Sequence, residues 1–159
     1  MRTLSAVVML VLLAGCRPGA GVATGAPSSE SAVQQFIFAA KASDLQAMSA
    51  VWGDQESPTR DRVSRQELER RLLIIECHLR SDESRIGPAE AAEGGRVLHR
   101  VSVTKGDLQA SPVFTTVRNL KDGRWYVENI DLSVLQKFCS ASMPSTPSAK
   151  PPRSGAAAH

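Results

Sequence analysis

Apolar residues recur at helical spacing through the first half of the chain and alternate through the second. Val33, Phe36, Ile37 and Ala40 lie three or four positions apart, which puts them on one face of a helix that Ser29 is placed to cap. Ser43 and Asp44 interrupt the pattern. Leu45, Met48 and Trp52 resume it as a shorter helix, which Gly53 ends. Residues 53–63 are polar, contain Pro58 and read as a loop. Ser64, followed three positions later by Glu67, predicts a capping box. The third helix then carries Leu68, Leu72, Ile75 and Leu79 in one stripe. Leu73 and Ile74 widen that stripe and predict a well-buried helix.

From residue 97 the period falls to two. Val97, His99, Val101 and Val103 alternate with Leu98, Arg100, Ser102 and Thr104, as expected of a strand with one buried face. Lys105-Gly106-Asp107 reads as a turn. Residues 113–120 are rich in β-branched side chains and predict a strand, with 125–130 as its return. Asp122-Gly123 between them is a tight-hairpin signal, in which both central positions take positive φ. A weaker strand is placed at 84–92, where Gly87-Pro88 requires a bulge or an edge. Asp131 or Ser133 starts a last short helix over 134–138. Three helices followed by three to four antiparallel strands make an α+β domain, in which helices across one face of a curved sheet enclose an open cone.

The ends of the chain differ in composition. Residues 4–13 are almost wholly apolar and follow Arg2. That run is short of the roughly 20 residues a spanning helix needs and fits the core of a signal peptide. It ends in Leu13-Ala14-Gly15-Cys16, which resembles a lipobox. The resemblance implies cleavage before Cys16, removal of residues 1–15, and a lipid on the Cys16 thiol. Residues 16–29 would then be the lipidated cysteine and a flexible tether of Gly, Ala, Pro and Ser. Residues 30–139 are left as the folded domain. Residues 140–159, with four prolines, read as a disordered tail. The implied location is the bacterial cell envelope, anchored by lipid. Arg17, where an Asp would hold an enteric lipoprotein at the inner membrane, points to the outer membrane facing the periplasm.

Charge and composition narrow the function classes. A net charge of +3 and an aromatic content of 4% give neither a basic surface nor a stacking platform for nucleic acid. Arg62, Arg65, Arg70 and Arg71 are interleaved with Asp61, Glu67 and Glu69, the pattern of a solvated helix face. Of the three cysteines, Cys77 and Cys139 remain once Cys16 is assigned to lipid. An even pair in an exported protein predicts a disulfide.

The domain resembles the NTF2-like, or cystatin-like, superfamily. The opening helix from Ala32-Val33-Gln34-Gln35-Phe36 through Ala40, with Asp44-Leu45 close behind, carries part of the likeness. The hairpin series after the third helix carries another part. The run Asp122-Gly123-Arg124-Trp125-Tyr126-Val127 carries the rest. The resemblance implies a cone that some members use for catalysis and others only for binding, so fold alone decides no activity.

The chain has no HExxH, GxSxG, CxxC or phosphate-binding glycine loop. His99 shares the apolar strand face with Val97 and Val101. Inside a cone it could serve as a general acid or base, with Asp44, Glu76 or Asp131 as partner. The favoured expectation is a core histidine hydrogen-bonded to backbone or to a buried carboxylate. His99, Trp52, Phe114, Trp125 and Tyr126 are the candidate pocket residues. Cys77, His78 and His99 match no metal spacing, so neither a metal nor a cofactor is expected. The first functional reading is a non-enzymatic, membrane-tethered binding or scaffolding module whose partner is an envelope protein or a small apolar ligand. The alternatives are an isomerase, dehydratase or hydrolase working around His99, and a structural module that forms a homodimer.

Overall fold

The computed structural model describes residues 24–140. Its main elements are four α-helices and five strands: α1 (Ser29–Lys41), α2 (Leu45–Ala50), α3 (Arg65–Leu79), β1 (Glu83–Ala92), β2 (Arg96–Lys105), β3 (Leu108–Ala110), β4 (Val113–Arg118), β5 (Trp125–Ile130) and α4 (Gln136–Ser140). The sheet is antiparallel in the order β1-β2-β4-β5, and β3 pairs with β2. The result is the α+β arrangement the sequence predicts, with helices packed on an open antiparallel sheet.

Ser28, one residue earlier than expected, caps α1. Its Oγ accepts from the Ser31 N–H at 3.2 Å, and the Ser31 Oγ accepts from the Ser28 N–H at 3.0 Å. Ser64 caps α3 by accepting from the Glu67 N–H at 3.3 Å. The buried stripe of α3 is Leu68, Leu72, Glu76 and Leu79. Leu73 and Ile74 do not join it. They are 53% and 54% exposed, because they project from the helix face that no other element covers.

The strand reading needs two corrections. Leu108–Ala110, to which the sequence pattern assigns no element, folds back on β2 as the short strand β3, which brings the sheet to five strands. The β4–β5 connection is a longer loop than a two-residue hairpin, and Asp122 does not take positive φ. Only Gly123 does, at 67°. Asn119 organises this loop: its side-chain oxygen accepts from the N–H groups of Lys121 and Asp122, and its backbone carbonyl accepts from Gly123. In β1 the register shifts between Ile86 and Ala89, where Gly87-Pro88 interrupts the ladder as expected.

β5 has neighbours on both sides. Beyond β4, residues 51–53 run parallel to it: Val127 N–H donates to the Val51 carbonyl at 2.9 Å and Gly53 N–H to the Val127 carbonyl at 3.1 Å. Ala26 exchanges two hydrogen bonds with Trp125, of 2.8 and 2.9 Å. Ala26 is wholly buried. Residues 24–28, read from composition as the end of a tether, are therefore part of the body. Residues 1–23 and 141–159, which carry the signal, lipidation and tail expectations, lie outside the described residues.

One apolar cluster fills the space between helices and sheet. Val33, Phe36 and Ile37 of α1, Leu68, Leu72 and Leu79 of α3, Val101, Val103 and Phe114 of the sheet, and Leu135 and Phe138 after β5 all belong to it. The C-terminal segment is fastened there in three ways. Cys139 is disulfide-bonded to Cys77 of α3, with Cα atoms 4.9 Å apart. The Leu135 carbonyl meets His78 Nδ1 at 3.1 Å, and the Phe138 carbonyl accepts from Lys105 Nζ at 2.8 Å.

The bridge spans a sequence separation of 62 residues. Chain entropy assigns a loop of that size about 4 kcal/mol of stabilisation. Cys77→Ser/Cys139→Ser is expected to unfold at a lower denaturant midpoint by that order. Wild-type protein denatured without reductant should show no reactive thiol from this pair. Equal midpoints for the two proteins would remove the bridge from the list of stabilising interactions.

Candidate functional site

The alternation of β2 puts His99 on the helix-covered face, and the register sets it opposite Phe114 of β4 and Ala89 of β1. His99 is 1% exposed and Phe114 wholly buried. Neither ring nitrogen of His99 has a hydrogen-bond partner among the described residues. This overturns the expectation that backbone or a carboxylate would satisfy it. The three candidate carboxylates are engaged elsewhere. Asp44 caps α2 by accepting from the Ala47 N–H at 2.9 Å. Asp131 accepts from Ser133 N–H at 3.1 Å. Glu76 accepts from the Ser43 hydroxyl at 2.8 Å and from Arg80. Burial pushes the Glu76 carboxyl up, but the bonds from Arg80 and Ser43 outweigh it and hold its pKa below the usual carboxylate value.

The other candidate pocket residues divide between the two sides of β5. Val127 belongs to the main cluster, so its neighbour Tyr126 points to the opposite face, beside Val117. Trp52 and Trp125 are half-buried. Trp52 lies beside Val127 and Trp125 beside Ala26. The structure therefore brings together His99 and Phe114, and separates Tyr126 from both by the thickness of the sheet. These five side chains pack as core, and no acid–base pair is built from them. Cys77 is spent in the disulfide and His78 on the Leu135 carbonyl, and no group of three or more metal-capable side chains lies together among the described residues.

Tyr126 forms a small second core that sequence reasoning did not separate from the first. Its ring is wholly buried between two glycines. A Cβ on Gly25 would lie 2.8 Å from Tyr126 Cζ, and one on Gly53 would lie 3.0 Å from Tyr126 Cδ1. Gly25 also takes φ of 71°, so it is held by conformation as well as by space. The Tyr126 hydroxyl donates to Asp122 Oδ2 at 2.8 Å. Arg124 bonds the Gly25 carbonyl and Arg60 bonds the Thr24 hydroxyl, both at 2.7 Å, which ties the entering chain to this corner. Burial, then the hydrogen bond and charge of Asp122, push the phenol well above its ordinary value, and the nearby Arg60 and Arg124 cations only partly offset them.

Three depressions lie on the surface of the helical layer, and another, polar and of about 250 Å³, lies on the sheet over β1 and β2. A cleft of about 370 Å³ runs between α2 and α3, with Leu45, Leu68 and Leu72 along its floor and Arg60, Asp61, Arg65 and Glu69 around its rim. Arg65 is paired with Glu69 at 2.8 Å. A second depression of about 410 Å³ lies between α1 and β1, and an apolar one of about 160 Å³ between α1 and α2. Sequence reasoning placed the candidate site inside the cone and so passed over these three. For the α2–α3 cleft the signal in the sequence was the mixed apolar and charged spacing of α3. No helix among the described residues is long and apolar enough to cross a membrane.

No protein-family model matches the chain, and no curated protein matches it. Two solved structures are similar to it. One is the structure of Bal32a from a soil-derived mobile gene cassette, at 15% identity over 69% of this chain and 95% of that one, with a TM-score of 0.33. The other is the structure of an M.tuberculosis LEH-like epoxide hydrolase, at 24% identity over 70% of this chain and 88% of that one, with a TM-score of 0.30.

Tyr126 is the single tyrosine of the chain, so its ionisation can be followed by absorbance without interference from another phenol. Its pKa is raised in the folded state. The stabilisation is therefore fully present below the unfolded phenol value of about 10 and is lost as pH rises beyond it. Absorbance at about 295 nm, the tyrosinate band, should stay flat past that value and then rise together with the loss of folded structure. A reversible rise near the ordinary value in folded protein would contradict the buried Tyr126–Asp122 bond.

Proposed function

We propose that this chain is a lipid-tethered binding module of the bacterial envelope, with an NTF2-like body that holds its ligand or partner on the outer surface of the helical layer. The observation that carries the reading is the filled interior. Phe114, His99, Leu135 and Phe138 are all buried between the helices and the sheet. The α2–α3 cleft, with apolar floor and charged rim, suits a small amphiphile or a partner's side chains. It lies beside Arg60, which binds Thr24 where the chain enters the body. A lipid on Cys16 would leave seven residues, 17–23, before that point, a span of at most about 25 Å. The cleft would thus work close to the membrane.

One observation favours the rival reading, an enzyme built around His99: its two ring nitrogens are buried without partners. Such an imidazole costs about 1–3 kcal/mol, and functional sites are where such costs are tolerated. Under the binding reading the histidine is simply an expensive core residue.

Two measurements test the proposal. Intact-mass analysis of the chain extracted from membranes should give a mature N-terminus at Cys16 carrying lipid, and an unmodified N-terminus at another residue would refute the tether. His99→Leu, close to His in volume, should raise stability by about 1–3 kcal/mol by removing the unpaired nitrogens. A substrate screen should find no turnover that His99→Leu abolishes. Such a turnover, lost while the melting temperature holds or rises, would replace the binding module with the enzyme.

A further inference from the structure

The outer face of α1 is not covered by the rest of the body. Glu30, Gln34, Gln35 and Phe38 are exposed along it, and Phe38 is 73% exposed, an unusual position for a phenylalanine in the middle of a helix. Phe38 stands as a ridge between two depressions. On one side lies the groove against β1, on the other the apolar depression against α2, walled by Ala39, Ala42, Ala47 and Ala50. The ends of the same face carry opposite charges. Glu30 lies in the first turn and Lys41 in the last. Glu30 is in no ion pair among the described residues, and Lys41 Nζ makes one 3.3 Å bond to the Asp82 carbonyl.

We infer that this face is an interface between two copies of the chain, with α1 packed antiparallel on α1 about a two-fold axis near Gln35. A two-fold interface must be complementary to itself. This face meets that condition in charge, because reversing a helix that is acidic at one end and basic at the other sets Glu30 of each copy against Lys41 of the other. It meets it in shape as well. The Phe38 ridge of each copy falls beside Gln35 of the other, at the mouth of the apolar depression between α1 and α2. The alanines there leave room for a ring, and helix axes can approach to about 8–10 Å. A parallel pairing would set Glu30 against Glu30 and Lys41 against Lys41. A helix of 13 residues is only about 20 Å long, so the contact falls at the weak end of stable interfaces. Confinement of both copies to one membrane would raise their effective concentration. The inference itself does not need the tether.

The test uses the full chain. Gln35→Cys places a thiol beside the axis, where a short bis-maleimide should join two copies and give a band at twice the mass of the monomer. Wild-type protein and Ser102→Cys, on the exposed face of the sheet, should give none. In the Gln35→Cys background, Lys41→Glu should reduce the dimer band at least tenfold, and adding Glu30→Lys should restore it. Phe38→Ser should abolish it. These positions are at the surface, and thermal melts check that each variant is folded. No band from Gln35→Cys, an equal band from Ser102→Cys, or a charge swap that fails to restore what Lys41→Glu removes would overturn the antiparallel α1 interface.

Discussion

The bond between Cys77 and Cys139 determines what the interior of this protein contains. It joins the end of α3 to the end of the described chain, and between β5 and Cys139 lie only a turn and part of one short helix. A five-residue helix has almost no stability of its own. Leu135 and Phe138 nevertheless sit fully inside the apolar cluster, because the bridge, the Lys105 bond and the His78 contact remove the alternatives. The C-terminal segment thus acts as a plug at the end of the sheet where β2 finishes. A cone that could have been a pocket is instead closed by its own chain.

The sheet has a second buried face, and it is held by different means. Tyr126 and Val117 are sealed without any helix above them. The cover is backbone: Gly25 and Gly53 press on the phenol ring, and the Asn119 side chain donates to the Asp54 carbonyl to draw the loop down. Close approach of backbone to an aromatic ring requires glycine, since any Cβ would occupy the ring's own space. Two features missed in the sequence, the packed segment 24–28 and the long β4–β5 loop, are the two walls of this corner.

What was legible in the sequence is what periodicity encodes. The three main helices and β2 are read from the spacing of their own apolar residues, β4 from its β-branched content, β5 as its return and β1 as a weaker strand around Gly87-Pro88, and the disulfide from the two cysteines left once Cys16 is assigned to lipid. What was not legible depends on residues distant in sequence. Ala26 lies in a stretch of Gly, Ala and Pro that looks like linker, and only the edge of β5 makes it part of the fold. Leu108–Ala110 is too short to show a period. Leu73 and Ile74 fit a buried stripe by spacing, yet whether they are covered is decided by the number of elements packed on α3. The five candidate pocket residues are a related case, because spacing places their side chains but not what surrounds them. Alternation correctly put His99 inside, but whether inside means a hollow depends on the last ten residues of the domain.

A filled interior changes where function should be sought. The polar groups that remain inside are either satisfied, as Glu76 is by Ser43 and Arg80, or isolated, as His99 is. Neither condition gives two ionisable groups converging on a reacting atom, which acid–base chemistry requires. The helical layer is different. Its surface carries three depressions, unpaired apolar side chains on α1 and α3, and charges arranged at the rims. Burying Phe38, Leu73 and Ile74 is favourable wherever a complementary surface is available, and leaving them in water is a standing cost. The sheet's outer face is polar instead: Arg85, Glu90, Arg100 and Ser102 are exposed along it, and its depression over β1 and β2 is lined by polar side chains. The entering chain at Thr24 is tied to this same layer by Arg60 of the α2–α3 cleft.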